Sequence, residues 1–282
     1  MTVKIVECPR DAMQGLHIQI PTAVKIEYIN TLLACNFDVL DCGSFVSSHA
    51  IPQLADSKEV LQGINEKGNT KLLVIVANVR GAQEACAIQK IDFLGYPFSV
   101  SDIFQRRNTN KSREESYVIL NQIQQMALQY DKQTVAYISM GFGNPYGEPW
   151  SIALVEDWVA KVIDLGIKTI SLSDTVGKAN PEDIFALFSH LIPTFPDIEF
   201  GAHLHTRPDN WESNVEAAFR AGCRRFDGAV KGYGGCPFAE DALTGNLPTE
   251  NLIHFIEIRG EKHKVIKDKF NHSLNLALKV FA

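Results

Sequence analysis

Eight apolar, strand-like runs alternate in order with amphipathic helical runs, which predicts an α/β protein built as a (β/α)8 TIM barrel with a short C-terminal helical extension. Two further observations favour a closed barrel over an open doubly wound sheet. The 282-residue length suits eight strand–helix units in one large core, and no GxGxxG phosphate fingerprint follows the first strand. A single catalytic domain over residues 1–282 is expected, with helices from about residue 250 closing it.

The first strand is Val3–Glu7, and Cys8-Pro9-Arg10-Asp11 reads as a turn after it. Apolar residues at helical spacing (Val24, Ile26, Ile29, Leu32, Leu33) give a helix from Pro21-Thr22 to about Cys35. Strands follow at Phe37–Asp41, Lys71–Ala77 and Lys90–Gly95, with helices at Ser57–Ile64 and from about Gly81. Ser112-x-x-Glu115 is a capping box opening a long helix to Tyr130. The second half continues with strands Thr134–Met140, Thr169–Leu172, Phe195–His205 and Arg224–Asp227. Its helices are Ser151–Leu165, Asn180–Leu191, started by Pro181, and Asn210–Ala221, before closing helices at Glu250–Ile258 and about Lys262–Leu278.

A net charge of −6 argues against a nucleic-acid partner. No apolar run approaches the roughly 18 residues of a membrane span. The six cysteines form no CxxC pair and no cleavable signal is evident, so reduced thiols in the cytoplasm are expected. Five of them read as small core residues. Cys236 instead lies on the glycine-dense loop Gly232-Tyr233-Gly234-Gly235-Cys236-Pro237, read as a lid whose thiol can exchange protons.

Candidate site residues come from a rule of this fold: chemistry sits at the C-terminal ends of the strands. Arg10 and Asp11 follow strand one, Asp41 ends strand two, and Asp174 follows strand six. His203 and His205 end strand seven and share one face by strand periodicity, while Cys236 and Asn246 follow strand eight. Asp11, His203, His205 and the Asn246 amide make a mixed carboxylate–imidazole set suited to Mg2+ or Mn2+, with Zn2+ the lesser alternative. Arg10 at the mouth can stabilise oxyanion charge. Asp174 can bond ligands or substrate, or cap the next helix.

The pieces Val3-Lys4-Ile5-Val6-Glu7, Pro9-Arg10-Asp11, Ser44-Phe45-Val46-Ser47, Ser171-Leu172-Ser173-Asp174-Thr175-Val176-Gly177, His203-Leu204-His205, Gly234-Gly235-Cys236-Pro237 and Gly245-Asn246-Leu247 occur in the order of the hydroxymethylglutaryl-CoA lyase family, which the chain resembles. The related synthases carry Gly-Glu-Arg-Ala-Gly-Asn where this chain has its Gly-Gly-Cys-Pro loop, which favours the lyase branch. The resemblance implies cleavage of 3-hydroxy-3-methylglutaryl-CoA to acetyl-CoA and acetoacetate, as in leucine degradation, with an acyl-CoA substrate and a homo-oligomer, a dimer. It implies that Asp11, His203, His205 and Asn246 hold the ion, that Arg10 stabilises the enolate and that Cys236 exchanges its proton. Asp41 and Asp174 match further acidic positions of the site. The chain departs from the family in having Asp41 for glutamate, Ala12 and Gly15 in the Arg-Asp segment, and Thr206 for aspartate. These changes touch the substrate shell and leave the metal set intact.

Overall fold

The computed structural model describes residues 2–16, 18–235 and 244–281. The chain opens with β1 (Lys4–Glu7), α1 (Pro9–Gln14), α2 (Thr22–Leu33), β2 (Val39–Ser44), α3 (Ser57–Gly63), β3 (Lys71–Ile75), α4 (Val79–Cys86), β4 (Phe93–Ser99), α5 (Asp102–Thr109) and α6 (Arg113–Gln129). It continues with β5 (Gln133–Ser139), α7 (Ile152–Asp164), β6 (Thr169–Asp174), α8 (Pro181–Thr194), β7 (Glu199–Thr206), α9 (Trp211–Arg220), β8 (Arg225–Gly228), β9 (Gly245–Asn246), α10 (Thr249–Ile258) and α11 (Lys267–Val280). Strands β1 to β8 are parallel to their neighbours in sequence order, and β8 pairs with β1, so the ring closes as an eight-stranded barrel. The two-residue β9 adds antiparallel to β7, outside the ring.

Strand periodicity divides the side chains into two populations. Outward residues such as Ile5, Leu40, Leu72, Leu94, Ile138, Ile170, Leu204 and Phe226 form the main core against the helices. Inside the ring, Val6, Cys8, Val39, Leu73, Ile75, Val135 and Tyr137 make a separate apolar cluster from β1, β2, β3 and β5. The lumen residues of β6, β7 and β8 are polar instead: Ser171, Ser173, His203, His205, Arg225 and Asp227 are all buried. One wall of the lumen is therefore polar and the other apolar.

Several expected boundaries are corrected. The segment after β1 is not a bare turn: Pro9 occupies the first position of a six-residue helix, too short for periodicity to reveal. Strand β2 runs on past Asp41 to Ser44 with an irregular register between Asp41 and Gly43, so Asp41 lies within the strand and not at its end. Strand β4 extends to Ser99 rather than stopping at Gly95. Its pairing with β3 ends at Gly95 while that with β5 continues to Ser99, so Pro97 sits where β4 bonds on one side only. Strand β6 reaches Asp174, β7 starts at Glu199, and helix α5 was not expected. The capping box is present, with Glu115 N–H donating to Ser112 Oγ and Ser112 N–H to Glu115 Oε2. No described helix is long and apolar enough to cross a membrane.

Candidate active site

The site assembles at the C-terminal end of the barrel from four directions. Helix α1 carries Arg10 and Asp11 inward, and both are buried. Strand β7 presents His203 and His205 on its lumen face, with Leu204 turned to the outer core. Strand β9 pairs Asn246 directly opposite His205, which places a residue from the far end of the chain beside Asp11. Strand β2 contributes Asp41, fully buried.

Arg10 ties the two carboxylates together. Its Nε and Nη2 donate to Asp41 Oδ2 at 2.9 and 2.5 Å, and its Nη1 donates to Asp11 Oδ1 at 2.9 Å and to Gln14 Oε1 at 2.8 Å. Gln14 in turn donates to Asp11 Oδ1 at 2.8 Å. Burial pushes the Asp11 carboxyl upward, but Arg10, both histidines and the Asn246 hydrogen bond outweigh it and hold Asp11 below its ordinary range. Asp41 goes the other way: burial raises it to about 6 despite Arg10, and its Oδ1 is buried with no hydrogen-bond partner among the described residues.

The imidazoles are oriented by their inner nitrogens. His205 Nδ1 lies 2.9 Å from the Thr175 carbonyl, and His203 Nδ1 lies 3.2 Å from Asp227 Oδ2. A carbonyl and a carboxylate only accept, so each Nδ1 carries a proton. His205 Nε2 is buried without a partner among the described residues, 4.0 Å from Asp11 Oδ2. Burial, then the neighbouring His203, lowers His205 to about 4, which keeps it a neutral donor of electrons. Ligand atoms of Asp11, His203 and His205 all lie within 4.8 Å of one another. An orphaned imidazole lone pair beside an acidic carboxylate and a second imidazole is a donor set that fits a divalent cation. Asn246 meets this group through Nδ2, which donates to Asp11 Oδ2 at 2.7 Å and to the Tyr233 carbonyl at 2.9 Å. For its Oδ1 to face a cation the amide must turn over.

Asp174 stands apart from the cluster. Its two carboxylate oxygens accept from the Lys178 and Ala179 N–H groups at 2.9 and 3.0 Å, and burial raises it to about 6. It shapes the loop whose Thr175 carbonyl orients His205. Cys236, expected on a lid, lies outside the described residues; Gly234, two positions before it, packs against Asp11 and Asn246. The five other cysteines are buried and free, as expected. Two neighbours escaped the sequence reading. Cys8 and Asp227 each place a ligand-type atom within 4.8 Å of His203. Their signal was the inward parity of β1 and β8, readable only once the register is known.

On the apron of the mouth, a cavity of about 350 Å3 opens between Ser44, Phe45, Ser47, Lys58, Asn78 and Arg80. A second, of about 300 Å3, borders Asn246 with Thr206, Arg207, Trp211 and Lys231.

A closed (β/α)8 ring with a carboxylate–imidazole cluster at its C-terminal mouth defines a barrel of the metal-supported enzyme class. The comparisons narrow that class. The HMGL-like family model matches residues 3–277, and the chain belongs to this family. It is 33% identical over 271 residues to the cytoplasmic 3-hydroxy-3-methylglutaryl-CoA lyase of Rattus norvegicus, covering 94% of this chain and 78% of that one. It is 32% identical to the hydroxymethylglutaryl-CoA lyase YngG of Bacillus subtilis, covering 93% and 87%. Among solved structures, the Bacillus subtilis HMG-CoA lyase superposes with a TM-score of 0.93 at 31% identity, covering 99% of this chain and 93% of that one. An Acinetobacter baumannii HMG-CoA lyase, solved with coenzyme A and 3-methylmalate, gives 0.91 at 30% identity, covering 99% and 91%.

Proposed function

We propose that this protein is a carbon–carbon lyase that cleaves 3-hydroxy-3-methylglutaryl-CoA to acetyl-CoA and acetoacetate with the help of a divalent cation, in the cytoplasm. The observation that carries the metal requirement is the His205 Nε2 lone pair, without a partner among the described residues, in a group where ligand atoms of Asp11, His203 and His205 lie within 4.8 Å of one another. Asp11, His203, His205 and, after its amide turns, Asn246 would hold Mg2+ or Mn2+. Bound there, the ion would polarise the substrate's C3 oxygen and orient the acyl group.

The chain's own groups do the rest. Asp41 has one oxygen clamped by Arg10, the other buried without a partner among the described residues, and a pKa raised by burial to about 6. A base so poised takes the proton of the C3 hydroxyl near neutral pH. The oxygen's electron pair becomes the C3 carbonyl, and the C2–C3 bond breaks. Its electrons pass to the thioester carbon as an enolate, whose oxygen Arg10 stabilises. Cys236, by resemblance to the family, gives a proton to C2 and completes acetyl-CoA. Asp174, with both oxygens occupied, acts by positioning the Thr175 carbonyl behind His205 rather than by proton transfer.

The test is turnover of 3-hydroxy-3-methylglutaryl-CoA by the purified protein, with acetoacetate and acetyl-CoA quantified by chromatography. Chelation should abolish it and Mg2+ or Mn2+ restore it; no product from metal-loaded protein would defeat the proposal. A second reading, an aldol-type lyase acting on a different 3-hydroxyacyl-CoA, is favoured by Asp41, whose carboxylate reaches one methylene less than the glutamate of the family pattern. A panel of 3-hydroxyacyl-CoA substrates separates the two.

A further inference from the structure

The lumen beneath the site holds a charged chain that the proposed chemistry leaves unused. Asp227 stands on β8 in direct register with His203 on β7. Its side chain has no solvent exposure, and its Oδ2 is 3.2 Å from His203 Nδ1. Ser171 Oγ approaches the same oxygen at 3.5 Å, while Oδ1 is buried with no partner among the described residues. Two residues back on β8, Arg225 is buried inside the ring, and its Nη1 lies 3.7 Å from Glu199 Oε2. Its stem lies where a side chain on β7 would be: a Cβ added at Gly201 would come within 3.0 Å of Arg225 Cδ. The Tyr137 ring meets the His203 ring edge-on at a centroid distance of 5.7 Å.

Burying a carboxylate carries a desolvation cost that only close, hydrogen-bonded partners offset. Here the carboxylate has one well-defined neighbour, the inner nitrogen of an imidazole. We infer that Asp227 is a positioning residue: it fixes His203 as the Nδ1–H tautomer, aims Nε2 at the space shared with Asp11 and His205, and strengthens that nitrogen as a donor toward a divalent cation. The inference rests on the proposed reading of the site as a metal centre. A carboxylate behind a ligating histidine changes metal affinity by about 10–100-fold in other sites.

The experiment is a titration of the metal-free protein with Mn2+ alone, read by electron paramagnetic resonance of the free ion, on wild type, Asp227→Asn, Asp227→Ala and Cys8→Ser. Circular dichroism controls for folding. Both Asp227 variants should bind Mn2+ about 10–100-fold more weakly, whereas Cys8→Ser should match wild type. Nitrogen NMR of 15N-histidine wild-type protein should show His203 protonated at Nδ1. Unchanged Mn2+ affinity in a folded Asp227→Asn variant overturns the inference, as does a wild-type His203 protonated at Nε2. An equal loss in Cys8→Ser also overturns it, since the ion would then sit among Cys8, His203 and Asp227. Absence of Mn2+ binding by wild type overturns both this inference and the reading of the site, while tight wild-type binding with unchanged variants counts against Asp227 alone.

Discussion

Arg10 is the residue whose loss has the most calculable effect. Its guanidinium gives two hydrogen bonds to Asp41, one to Asp11 and one to Gln14, all within a buried pocket. Arg10→Gln leaves two buried carboxylates without their cation. Breaking a buried pair from one side costs about 3–5 kcal/mol, a large part of the roughly 5–15 kcal/mol that stabilises a domain. The variant should therefore fold with a clearly lower urea midpoint. Its kcat should fall by about 10²–10³, the usual effect of removing one oxyanion donor. The pH–rate profile gives an independent reading. Asp41 acts as a base only when deprotonated, so wild-type activity should rise with pH through about 6. Arg10 is what pulls Asp41 down, so in Arg10→Gln the same limb should move to higher pH. Arg10→Lys keeps the charge but not the planar fork that spans two acids, so it should recover stability better than rate. Wild-type turnover in Arg10→Gln, with the acid limb unmoved, would refute the assignment of both residues.

Two further outcomes follow from particular contacts. Glu7 is buried behind the sheet, accepting from the Val230 N–H and the Thr249 hydroxyl, and burial raises its pKa from 4.5 to about 8. The native state keeps that proton where the unfolded chain has lost it, so stability from this group falls as pH rises from about 4.5 to about 8. The slope is at most about 1.4 kcal/mol per pH unit. Urea midpoints across that window should show the slope in wild type and its loss in Glu7→Gln; parallel curves would contradict the raised value. Gly234 has φ of +88°, and a Cβ there would lie 2.7 Å from the Asp11 carbonyl oxygen and 2.8 Å from Asn246 Nδ2. Gly234→Ala should weaken Mn2+ binding by displacing Asn246 from Asp11, and unchanged affinity in a titration would show that the loop yields without moving the ligands.

What the sequence made legible is what periodicity encodes. The alternation of strands and helices produced the barrel, and the period of two put His203 and His205 on one face before any coordinates. The capping box at Ser112 and Glu115 was readable because it is local. The rest depends on register and on short elements. Helix α1 has six residues, fewer than two turns, so the polar run around Arg10 carried no helical signature. Asn246 meets His205 through a two-residue strand, invisible to any pattern; the barrel rule brought it to the same mouth as Asp11 but not to its hydrogen bond with that carboxylate. Asp227 looked like the end of an unremarkable strand; only the pairing of β7 with β8 sets it against His203. Asp174 reads the same in sequence whether it serves substrate or its own loop, and the amides of Lys178 and Ala179 favour the loop.

The bond from Asn246 to Asp11 joins positions 235 apart along the chain. A nascent polypeptide leaves the ribosome with its first acidic ligand exposed long before the amide that completes the set has been made. On the proposed reading of the site, partly synthesised chains thus offer only fragments of the chelating group, and the capacity to hold a divalent cation arrives after the eighth strand of the ring.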